Sequence, residues 1–165
     1  MTEIIRVTLL VTLLAVTFAC YFLVVSAFFN KRVSKTLNVA KQLPARSLGI
    51  GFVNFLFFGT IAVVLLGIAD SVGNGVIKFI VTIPSLLLAT ILVILLSFGL
   101  SSMVGILGER IFPDLSAWKQ SFWGTVILTF ASAIPFVGWF LLFPFVALTG
   151  FGAVILGFFQ REKTE

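Results

Sequence analysis

Residues 122–159 run for thirty-eight positions without one ionisable side chain. A membrane-spanning helix needs about 20 residues, at about 1.5 Å each, to cross about 30 Å of hydrocarbon. A single helix here would be roughly twice too long, and it would carry Pro135, Gly138 and Pro144 near its middle. The stretch therefore predicts a hairpin, with Pro135, Gly138 and Trp139 forming the turn. Trp139 lies twenty-one residues from both Trp118 and Gln160. Each interval is roughly 31 Å of helix, one crossing, with tryptophan at the interface.

Composition points to the same solvent. Sixty per cent of the 165 residues are hydrophobic and ten per cent charged, against about 45–50% and about 25% in soluble domains. Such a chain has too little polar surface to cover itself in water. The predicted fold is all-α, a polytopic transmembrane helical bundle forming one integral membrane domain over 1–165. It has about five membrane segments, at 7–29, 49–69, 78–107, 118–135 and 139–159. The last two form the Pro/Gly-turned hairpin, and a re-entrant hairpin returning to the same side fits the charges as well as a fully spanning one. Pro44 and the Gly49/Gly51 pair punctuate entry to the second segment. Residues 70–75 read as a compact turn. The third segment exceeds one bilayer, and tilt or a kink at Pro84 would absorb the excess.

The formal charge of +5 is concentrated in one place. Lys31, Arg32, Lys35, Lys41 and Arg46 share the polar stretch 30–47, read as a basic cytoplasmic loop. Val33 and Leu37 are one turn apart there, which suits a short helix on the headgroups. Basic residues beside a membrane segment set orientation and touch anionic lipid, and these five are the expected headgroup or partner contacts. The loop has no aromatic residue to stack a base, so nucleic acid is not an expected partner. Five crossings put nine Lys/Arg on one side, with only Arg6 and Lys78 on the other. The positive-inside bias then places the N-terminus outside and the C-terminus in the cytoplasm.

Candidate chemistry is sparse. Asp70, Lys78, Glu109 and Arg110 sit at segment ends, and no segment interior carries a charge. Intramembrane charges mark ion pathways and proton relays, so a proton-coupled pump is disfavoured. Histidine is absent and Cys20 is the single cysteine, so the usual general base and the usual metal and haem ligands are missing. No catalytic residue, cofactor or metal site is expected. Cys20 reads as a packed core residue. Asn54 is the amide to watch, since it needs partners in hydrocarbon.

Small residues are better placed. Ser85, Ala89, Ser97, Ser101 and Gly105 keep a four-residue register on the third segment. Thr149, Ala153 and Gly157 keep one on the last. Stripes of this kind let membrane helices approach closely, within one bundle or between subunits. The twenty Phe residues are expected to meet lipid.

Four motifs belong together: Thr82-Ile-Pro-Ser-Leu, Val104-Gly-Ile-Leu-Gly-Glu-Arg-Ile, Ala133-Ile-Pro-Phe-Val-Gly-Trp, and Thr149-Gly-Phe-Gly-Ala-Val-Ile-Leu. Residues 45–159 resemble the membrane segment that accompanies bacterial polymer-forming cytoskeletal (bactofilin-like) proteins. The resemblance implies a helical membrane unit, and it carries over no functional residue. In place of a β-helical polymer-forming domain, this chain has an additional first segment and the basic stretch.

The expectation is a non-enzymatic multi-pass protein of a bacterial membrane, the cytoplasmic one or another internal energy-transducing one, and an accessory, organising or assembly subunit of a larger membrane complex. Its partners would be anionic lipid headgroups and other membrane subunits or further copies of itself. The alternative is a small channel or carrier for a neutral or apolar solute, with the Pro135–Gly138 turn as a broken-helix element.

Overall fold

The computed structural model describes residues 2–71, 75–134 and 136–159, and no strand occurs among them. Helix α1 (Thr2–Phe28) turns Ala15, Ala19 and Phe22 inward along one face. One residue, Phe29, separates it from α2 (Asn30–Gln42). The next break has a plain cause. A residue before proline is disfavoured in the helical region, and Leu43, just ahead of Pro44, leaves it at φ −132° and ψ 56°. Pro44 then opens α3 (Pro44–Ser71), where its missing N–H is harmless. The basic stretch expected as a loop is thus helical through Gln42, and Arg46 belongs to the next helix.

Helix α4 (Gly75–Ile111) is 37 residues long and runs through Pro84, about 55 Å of helix. It stops at Ile111, two residues before Pro113, which disfavours the helical region for the residue ahead of it. Helix α5 (Ala117–Ser132) has 16 residues, about 24 Å. After it comes a π-helical turn (Val137–Leu142) that flows into α6 (Phe143–Phe159). Pro144 accounts for the wide turn, since its ring would press on the carbonyl four residues back. The Phe143 N–H reaches five residues back instead, to the Gly138 carbonyl. Phe136 enters this turn at φ 68°, a left-handed conformation costing about 1–3 kcal/mol for a residue with Cβ. At Gly138 a Cβ would lie 2.5 Å from the Ser132 carbonyl oxygen. Pro135 lies outside the described residues.

Among the described residues, four helices are long and apolar enough to cross a membrane: Ile5–Phe28, Pro44–Ser71, Gly75–Ile111 and Val137–Phe159. The segment expected at 118–135 is the exception, because α5 falls short of the required length.

Helix α4 is the hub. It contacts every other helix, while α5 also lies on α1 and α6 also lies on α3. Direct contact between α5 and α6 is slight. Backbones meet at glycine: Gly99 against Gly150, Gly51 against Gly152, Gly108 against Gln120, Gly124 against Val104. A Cβ at any of these would overlap the facing main chain, the arrangement by which membrane helices gain dispersion contacts. Phe22, Val104 and Leu128 form one buried cluster, and Val39, Ala40 and Ala153 another. Beyond them α3 and α4 continue as a two-helix arm. Ser85 Oγ donates to the Ala62 carbonyl at 3.0 Å, and Lys78 Nζ lies 3.2 Å from Asp70 Oδ1. Most large side chains of the arm, Phe57, Val63, Phe79 and Leu87 among them, face outward.

Candidate functional site

Helix α2 is amphipathic in the sense that governs surface helices. Val33, Thr36, Val39 and Ala40 are buried against α4 and α6, with Leu37 half-buried beside them. The Ser102 hydroxyl reaches the Val33 carbonyl (3.1 Å) and the Phe98 carbonyl (3.0 Å), fastening α2 to α4. Lys31, Arg32 and Lys41 are exposed, as is Arg46 on the first turn of α3, and Lys35 is half-buried. The Arg32 guanidinium lies 4.9 Å from the centre of the Phe158 ring, so the end of α6 sits beside the start of α2.

At the other end of α2, Lys41 Nζ lies 2.6 Å from Glu109 Oε2. With both side chains more than a third exposed, this pair is worth about 0.2–1 kcal/mol. It closes one side of a groove of about 580 Å³ between α2, α4, α6 and the first residue of α3. Met103, Ile106 and Phe145 give the groove an apolar lining, and Lys41, Glu109 and Arg110 give it a charged rim. Thr149 also lines it, 1% exposed, and its hydroxyl has no hydrogen-bond partner among the described residues. A buried donor left unsatisfied costs about 1–3 kcal/mol.

A second cavity, about 480 Å³, lies between α1, α5 and the π-helical turn. Val11, Leu14, Phe18, Trp139 and Phe143 line it, and the buried Ser132 hydroxyl finds no partner there. Trp139 itself is 72% exposed.

The small-residue positions fall in different places. Ser85 is buried in the α3–α4 arm, and Ser101 is buried where its hydroxyl meets that of Ser26 at 2.9 Å. Ala89 and Ser97 are half-buried, with Ser97 bonded within its own helix to the Val93 carbonyl. Gly105 faces the side chain of Leu37. Ala153 packs against α2, whereas the space a Cβ would take at Gly157 is open. Asn54 donates to the Ile50 carbonyl of its own helix and has no hydrogen bond to another helix among the described residues.

Cys20 is exposed, contrary to its expected core position. It follows Ala19 by one residue, about 100° around the helix from the buried face. The glycines at the helix crossings escaped the sequence reading. Ser47 and Gly51 stand four residues apart, the spacing that marks close helix approach, and that was the available signal. No group of three metal-ligating side chains occurs among the described residues. No protein-family model, curated protein or solved structure matches the chain.

Proposed function

We propose that this protein is an integral membrane organising subunit that works through its helix faces and its basic surface helix, without catalysis. The observation that carries this reading is α2, clamped to the bundle through Val33, Thr36, Val39 and Ala40 while Lys31, Arg32 and Lys41 stay exposed. A fixed cationic helix at a membrane surface attracts anionic headgroups and acidic partner segments. The uncovered apolar flanks of the α3–α4 arm offer lipid or a neighbouring subunit a long surface.

In this reading the chain has five membrane segments, the short α5 being one arm of a hairpin with α6 that is re-entrant or fully spanning, and both α2 and the C-terminus are cytoplasmic. Two observations support it. Helix α5 ends at Ser132 and the π-helical turn begins only at Val137, and Arg32 lies against Phe158. From Lys78 to Glu109, the two ion-paired ends of α4, is thirty-one residues. That is about 46 Å of helix, close to the about 40–45 Å of a bilayer with its headgroups. Reporters inserted near Lys35 and fused after Glu165 are expected on the same side.

The decisive experiment is purification in mild detergent after cross-linking in membranes. A partner or a second copy is expected, and recovery of the lone monomer refutes the organising role. The second cavity favours one other reading, a carrier for an apolar solute. Flux into proteoliposomes above protein-free controls, blocked by Leu14→Trp, would establish it.

A further inference from the structure

We infer that the groove between α2, α4 and α6 is a site for one anionic phospholipid. The inference rests on the membrane-surface reading of α2 and assigns it a specific ligand. Three features of the groove converge. Its rim holds two cations, Lys41 and Arg110, and one carboxylate, Glu109, so the rim favours an anion. Arg110 makes no ion pair with any described residue, which leaves its guanidinium to form the bidentate hydrogen bonds that suit a phosphate. Met103 and Phe145 supply an apolar wall along which an acyl chain can lie. The Thr149 hydroxyl, buried on the same wall without a partner, is a donor to which a phosphate or ester oxygen supplies the missing acceptor.

The proline that opens α3 adds to this, because Pro44 lines the groove and the positive end of a 28-residue helix begins there. Glu109 has a distinct role. Its carboxylate already holds the Lys41 ammonium at 2.6 Å, so an incoming phosphate competes with it for that cation. The ion pair is the empty-state lock of the site, and lipid binding opens it.

The test uses the full chain, extracted in mild detergent from vesicles of phosphatidylcholine mixed with phosphatidylglycerol. Co-purifying lipid is identified by native mass spectrometry. One retained phosphatidylglycerol per protein is expected. Arg110→Gln should lower its retention about fivefold, the weight of one cation at an anionic surface. Glu109→Gln, which removes the competitor, should raise it. Lys31→Gln makes the same change in charge outside the groove and should leave retention unchanged. All three residues are exposed, so none of these variants disturbs the packed core.

Equal losses in R110Q and K31Q would overturn the site in favour of diffuse surface charge. Weaker retention in E109Q would overturn the competition. Displacement of the lipid by millimolar inorganic phosphate would overturn the phospholipid in favour of a free phosphate ion. Cross-linked partner recovery separates the two proposals. If it survives while R110Q has no effect, only the lipid site fails. If it is lost while retention follows the pattern above, only the organising role fails.

Discussion

Replacing Gly150 with alanine isolates what holds this fold together. A Cβ at Gly150 would lie 2.5 Å from the carbonyl carbon and oxygen of Gly99, whereas ordinary contact begins at 3.4 Å. The difference, 3.4 − 2.5 = 0.9 Å, is the distance α4 and α6 must separate. The obstructing atoms are main chain on a long helix, so no side chain can swing aside. The strain therefore belongs at the upper end for overpacking, about 3 kcal/mol. Alanine returns up to about 1 kcal/mol through its better helix propensity. The net loss of about 2 kcal/mol is roughly a thirtyfold shift in the folded-to-unfolded ratio. Gly59→Ala is the matched control, since nothing lies within 4 Å of its added Cβ. It should be neutral or stabilise by up to about 1 kcal/mol. Unfolding in mixed micelles of rising dodecyl sulfate, followed by tryptophan fluorescence, measures both. Stabilities of G150A and G59A within about 0.5 kcal/mol of each other would refute the glycine-crossing argument.

Three further outcomes follow from the same packing. Ser85→Ala removes the hydroxyl that bridges to the Ala62 carbonyl and should cost about 0.6–1.7 kcal/mol in the same titration. Asp70→Asn breaks the exposed pair with Lys78; its effect should stay below about 1 kcal/mol and vanish in high salt. Cys20 faces outward on α1, so an apolar maleimide should label it in the folded protein as fast as in the denatured one. Protection there would mean that another molecule covers that face.

The long elements were legible because their signals are strong and local. Runs of apolar residues bounded by Asp70, Lys78 and Arg110 announce α3 and α4, and Pro44 and Pro113 mark boundaries with a steric mechanism. Helix α2 was half legible: its Val33–Leu37 spacing showed an amphipathic turn, but how far the helix ran depended on contacts with α4 and α6. The short length of α5 was hidden because the uncharged run over 122–159 continues past the point where the helix stops. The glycine crossings were hidden for another reason. A small residue permits close approach on any face, and only the neighbouring helix decides which face is used. Gly99 and Gly105 have the same side chain, yet the first abuts a backbone and the second only the tip of Leu37.

The glycine crossings also decide where this chain can change over evolutionary time. Its outward surface has only to be oily, and phenylalanine, leucine, valine or isoleucine serve there almost interchangeably. The six glycines at the helix crossings, where main chain rests on main chain, admit no such exchange. Descendants of a common ancestor would therefore keep Gly51, Gly99, Gly108, Gly124, Gly150 and Gly152 long after the rest of their letters had drifted apart.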